Sequence, residues 1–129
     1  EELKKKYTSI SDKKIENKFP LIVEDKILKL KSKEFFSCIE KILGELYCVA
    51  VQKKTQRAGI GKMRGRKNKQ NAGMLLVIAK DESIKISGID VVRTNEICVR
   101  DLADNGARLT IFTEKAIKDL DKSLMGEKK

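Results

Sequence analysis

A chain of 129 residues that is 40% apolar and 5% aromatic can bury an aliphatic core, and its length suits a single domain. It contains no His, which removes the commonest general base near neutral pH together with any Ser-His or Cys-His nucleophilic pair. A formal net charge of +10, with no apolar run longer than the six residues of Met74 to Ala79, points to a polyanionic partner and away from a membrane-spanning helix.

Residues 1–18 mix both signs of charge with little periodicity and read as a tail or frayed helix. Glu1-Glu2-Leu3-Lys4-Lys5-Lys6 has no apolar stretch behind it and does not resemble a signal peptide; a start without Met suggests a trimmed or partial product. The remainder, 19–129, reads as one α/β domain. Phe19-Pro20-Leu21-Ile22-Val23 is a short strand opened by proline. Ser32 is placed to cap a helix with Glu34 in its first turn, Phe35, Ile39, Ile42 and Leu43 at helical spacing, and Gly44 as its stop. Leu46 to Val51 is a second apolar run, read as a strand.

Met74 to Ala79 is continuous rather than alternating, as in a strand covered on both faces. Ile89 to Val92 is a further strand, and the short link between the two leaves room for one helical turn at most. Thr94 or Asn95 caps a short helix holding Ile97 and Leu102, which Asp104-Asn105-Gly106 then breaks. Leu109 to Phe112 is the last strand. Thr113 caps a closing helix with Glu114 in its first turn and Ile117, Leu120 and Leu124 on one face. Buried strands alternating with amphipathic helices predict an open, mostly parallel α/β sheet with helices on both faces, in three layers. Cys38, Cys48 and Cys98, an odd number without CxxC spacing, read as small buried hydrophobes of a reducing cytosol.

The charge excess is local. Between Lys53 and Lys69 stand eight bases (Lys53, Lys54, Arg57, Lys62, Arg64, Arg66, Lys67 and Lys69) and no acid; the other 21 bases nearly balance 19 acids. Lys and Arg neutralise phosphates and release counterions, and Arg adds a planar fork that grips a phosphate or stacks on a base. Gly59, Gly61 and Gly65 remove bulk, letting the backbone lie against a sugar-phosphate chain. So many like charges, with three glycines among them, also predict a segment poorly ordered until a polyanion joins it. A phosphate-cradling enzyme loop fits less well: Gly59-x-Gly61 then Gly65 is not GxGxxG, and Gly61-Lys62 is followed by Met63 rather than Ser or Thr. The carboxylates Glu24-Asp25 and Asp101-Asp104 read as solvated turn acids rather than Mg²⁺ ligands. A free-standing RNA-binding regulator or chaperone stays open as a second reading.

Arg57-Ala58-Gly59-Ile60-Gly61-Lys62-Met63-Arg64-Gly65-Arg66 resembles the RAGxGKxRGR signature of the fourth large-subunit ribosomal protein family in its archaeal and eukaryotic form. Pro20-Leu21-Ile22-Val23-Glu24-Asp25, Gly88-Ile89-Asp90-Val91-Val92 and Arg108-Leu109-Thr110-Ile111-Phe112-Thr113-Glu114 agree in order, so the resemblance covers roughly residues 19–124. It implies the C-terminal portion of a structural protein of the large ribosomal subunit, cytoplasmic, bound to ribosomal RNA (rRNA) and neighbouring subunit proteins. No catalysis, cofactor, metal, membrane or small-molecule substrate is implied. Arg57, Gly59, Gly61, Lys62, Arg64, Gly65 and Arg66 would lie against rRNA. Two departures stand out. Nothing matches the family's N-terminal half with its tunnel-reaching arm, and Ala103-Asp104-Asn105-Gly106 stands where the family has Ala-Pro-Gly-Gly.

Overall fold

The computed structural model describes residues 19–103 and 106–126. The expected N-terminal tail and the Asp104-Asn105 part of the helix breaker lie outside them. Among the described residues six strands form: β1 (Leu21–Val23), β2 (Lys54–Gln56), β3 (Asn68–Gln70), β4 (Leu75–Ile78), β5 (Asp90–Arg93) and β6 (Thr110–Thr113). Four join in one sheet of order β1-β6-β4-β5, parallel at every pairing, while β2 and β3 pair separately as an antiparallel ribbon. The α-helices among the described residues are α1 (Ser32–Leu43), α2 (Tyr47–Ala50), α3 (Val99–Leu102) and α4 (Glu114–Met125). None is long and apolar enough to cross a membrane.

Strand β4 explains the layering. Successive side chains on a strand face opposite ways, so the run from Leu75 to Ile78 serves two cores. Leu76 and Ile78 pack with Phe35, Ile39 and Leu43 of α1 and with Leu46, Val49 and Ala50; Leu75 and Val77 pack with Ala116 of α4. The connections obey one hand. The link from β1 to β4 carries α1 and α2, and the helix-free link from β4 to β5 sends Ile84 and Ile86 into the same core. The return from β5 to β6 places Ile97 in the opposite core, as right-handed crossovers require when direction reverses.

Several local expectations are corrected. Leu46 to Val51 is not a strand but a short 3-10 turn and α2, because Leu46, Val49 and Ala50 are buried at three-and-four spacing while Glu45 and Cys48 face solvent. Ser32 is the first helical residue of α1 rather than its cap, which falls on Lys31 without a side-chain bond, and Ile42 is exposed. Neither Thr94 nor Asn95 caps α3; Cys98 does, its backbone N–H and thiol both donating to Asp101 Oδ2 at 3.1 and 3.0 Å. Ile97 therefore sits before that helix. Thr113 does cap α4, its Oγ1 accepting from Ala116 N at 3.3 Å. Leu124 is exposed rather than packed, because a 12-residue helix runs about 18 Å whereas a four-residue strand offers only about 13 Å to cover. Nor are the cysteines uniformly buried: Cys38 is half-buried, while Cys48 and Cys98 are exposed at helix ends, where their thiols serve as local donors.

Candidate nucleic-acid interface

The basic segment is a ribbon standing off the sheet. Lys54 pairs with Gln70, Thr55 with Lys69 and Gln56 with Asn68; Arg57 N extends the ladder to Lys67 O at 2.9 Å. At the far end Gly59, at φ 79° and ψ −167°, takes a conformation open to little but glycine. It turns the chain into a 3-10 turn over Ile60–Lys62, closed by Met63 N to Ile60 O at 2.9 Å and Arg66 N to Gly61 O at 3.1 Å. The chain here is thus internally bonded along its ladder and across its turn. The ladder and the glycine turn close a hairpin in which every residue of β2 and β3 is exposed, an arrangement that is marginal by itself and depends on how its base is held.

The register also sorts the charge. Side chains alternate between the ribbon's faces, so Lys53, Arg57, Lys67 and Lys69 share one, while Lys54 shares the other with Gln56, Asn68 and Gln70. Lys62, Arg64 and Arg66 lie at the tip. All eight bases are exposed, and among the described residues none has an ion-pair partner. Arg57 Nε donates to Asn68 O at 3.3 Å, which lays that guanidinium across the ribbon.

The base of the ribbon is fixed by residues that single-sequence reasoning did not find. Gln52 Nε2 donates to Ala72 O at 2.9 Å and to Asp90 Oδ1 at 2.8 Å, while Gln52 Oε1 accepts from Gln70 Nε2 at 3.0 Å. Lys53 N donates to Asn71 Oδ1 at 2.6 Å. Arg108, with a side chain only 4% exposed, donates through Nε to Gly73 O at 3.1 Å and through Nη2 to Ala72 O at 2.6 Å and to Asp90 Oδ2. A buried guanidinium paired with Asp90 thereby ties the outgoing ribbon strand to β5 and β6. The only signal for this latch was a lone Arg and a lone Asp, each beside an apolar run; nothing in one sequence pairs them.

Of the acidic residues weighed for Mg²⁺, Glu24, Asp25 and Asp101 have other partners, and Asp104 lies outside the described residues. Asp25 Oδ1 accepts from Lys115 N at 3.3 Å, and Lys115 Nζ reaches Glu82 Oε1 at 2.8 Å and Asp25 Oδ2 at 3.6 Å. The hydrogen bond that Lys115 donates to Glu82, and the charge of that carboxylate, hold Lys115 above the ordinary lysine pKa. Asp101, bonded by the Cys98 thiol and N–H, titrates below the ordinary carboxylate range. Among the described residues no three His, Cys, Asp or Glu gather into a possible metal site.

No family profile matches the chain. Individual proteins do. The large ribosomal subunit protein uL4 of Saccharolobus islandicus is 40% identical over 116 residues, covering 82% of this chain and 43% of the relative. The uL4 of Saccharolobus solfataricus is 38% identical over 117 residues (83% and 44%), and that of Thermoplasma acidophilum 35% over 111 residues (80% and 44%). The chain belongs to the uL4 family. It corresponds to a C-terminal portion and spans less than half the length of the curated uL4 relatives it matches. The resemblance read from Arg57 to Arg66 and its flanks is borne out. Those flanks hold Asp90 and Arg108, the two charged members of the latch.

Proposed function

We propose that this chain is a non-catalytic structural constituent of the large ribosomal subunit in the cytoplasm, where it binds rRNA through the basic ribbon and supports subunit assembly and translation. The α/β body over 19–129 acts as one platform beside neighbouring subunit proteins. Lys53, Lys54, Arg57, Lys62, Arg64, Arg66, Lys67 and Lys69 contact phosphates, and Gly59, Gly61 and Gly65 let the backbone approach the RNA. The observation that carries this reading is the acid-free ribbon, whose eight cations all face solvent with no carboxylate partner among the described residues. Exposed charges of one sign are destabilising neighbours until a polyanion screens them.

Charge reversal tests the assignment. Replacing Arg64 and Arg66 with Glu removes two charged contacts of about 1.5 to 3 kcal/mol each. Affinity for large-subunit rRNA should fall by at least that combined amount, with the fold unchanged. Undiminished binding would dismiss the ribbon as the contact.

A further inference from the structure

The tip of the ribbon carries two large apolar side chains that no part of the body covers: Ile60 is 65% exposed and Met63 81% exposed. They are one 3-10 turn apart, joined by the Met63 N to Ile60 O bond, and at that spacing side chains eclipse on the same side of the backbone. Single exposed apolar residues are ordinary on protein surfaces. An aligned pair between Lys62, Arg64 and Arg66, in a window without one acid, is a composite surface of cationic rim and apolar centre.

We propose that Ile60 and Met63 form a seat for an unstacked nucleobase in a bulge or loop of the bound RNA, resting on the rRNA-binding reading above and adding structural selectivity to it. A protein partner would have to bring carboxylates to offset the surrounding cations. An unpaired nucleotide brings both complements on one molecule, phosphate for the rim and an apolar ring face for the centre. In a fully paired helix the ring faces are stacked, and the pair has nothing to cover. Aliphatic and Met side chains play a comparable part where architectural proteins wedge unstacked base steps.

The test uses the 129-residue chain, an RNA hairpin with a bulge of a few nucleotides, and the same hairpin fully paired, titrated by fluorescence anisotropy at one salt concentration. The Ile60→Ser/Met63→Ser double variant keeps every charge. It should bind the bulged RNA roughly five- to tenfold more weakly and the paired RNA as before, with an unaltered thermal melt. The Ile60→Val/Met63→Leu variant should restore bulge binding. Equal losses on both RNAs, or no loss on either, would overturn the seat; the second outcome would leave the pair to a protein contact. A wild-type chain that bound neither RNA would overturn the rRNA-binding reading itself, so the two failures differ visibly.

Discussion

Gly73 shows how much one residue decides where the ribbon meets the body. It sits at φ +68°, and a Cβ there would lie 2.9 Å from Ala50 O and 2.7 Å from Gln52 Cγ. The close approach lets Ala50 O accept from Met74 N at 2.7 Å and leaves Gly73 O free for Arg108. Gly73→Ala should therefore cost both the left-handed backbone penalty and a backbone clash, about 2 to 3 kcal/mol together. It should appear as a lower urea midpoint with an unchanged slope. Gly65→Ala is the comparison: its φ is +75°, but nothing lies within 4 Å of the added carbon. Being on an exposed ribbon, it should leave the midpoint of the body nearly unmoved. Equal midpoints for the two variants would show that the crowding around Gly73 is not stabilising.

Between elements, the latch of Gln52, Asp90 and Arg108 holds an exposed two-stranded ribbon that has no core of its own. Arg108→Met keeps the bulk but takes the guanidinium donor from the Gly73 and Ala72 carbonyls and the Asp90 carboxylate, of which Ala72 O and Asp90 Oδ1 keep the Gln52 amide. About 2 to 3 kcal/mol should be lost. Hydrogen exchange should quicken at the amides of β2 and β3 more than at those of β4; equal quickening would mean that Arg108 supports the sheet alone. The latch was invisible in the sequence because its bonded pairs, Asp90 with Arg108 and Gln52 with Asp90, lie 18 and 38 residues apart and carry no spacing rule. Local patterns fared better. The unbroken run at Met74 to Ala79 announced a strand with two buried faces, and Thr113 announced its helix. Leu46 to Val51 misled because six apolar residues are too few to separate a period of two from one of 3.6. At Thr94 and Asn95 the competing cap, a thiol at Cys98 paired with Asp101, is a weaker donor set than propensity favours.

Across the whole molecule, charge and packing are divided between two parts. Outside the window of 53–69 the chain carries 21 bases and 19 acids, and it holds all the buried core of the described residues. Within the window there are eight bases, no acid and no buried residue. Because Gln52 and Gln70 already face each other through a hydrogen bond, a short glycine turn between them should replace the ribbon without unfolding the sheet. The most direct measurement is then the salt dependence of binding to large-subunit rRNA for the intact and the ribbon-replaced chain. If about six of the eight cations meet phosphates, the intact chain should lose roughly 10³ in affinity between 50 and 200 mM salt. The ribbon-replaced chain should bind weakly, with that dependence largely gone. An undiminished slope in the ribbon-replaced chain would contradict the account, since the phosphate contacts would then lie on the body.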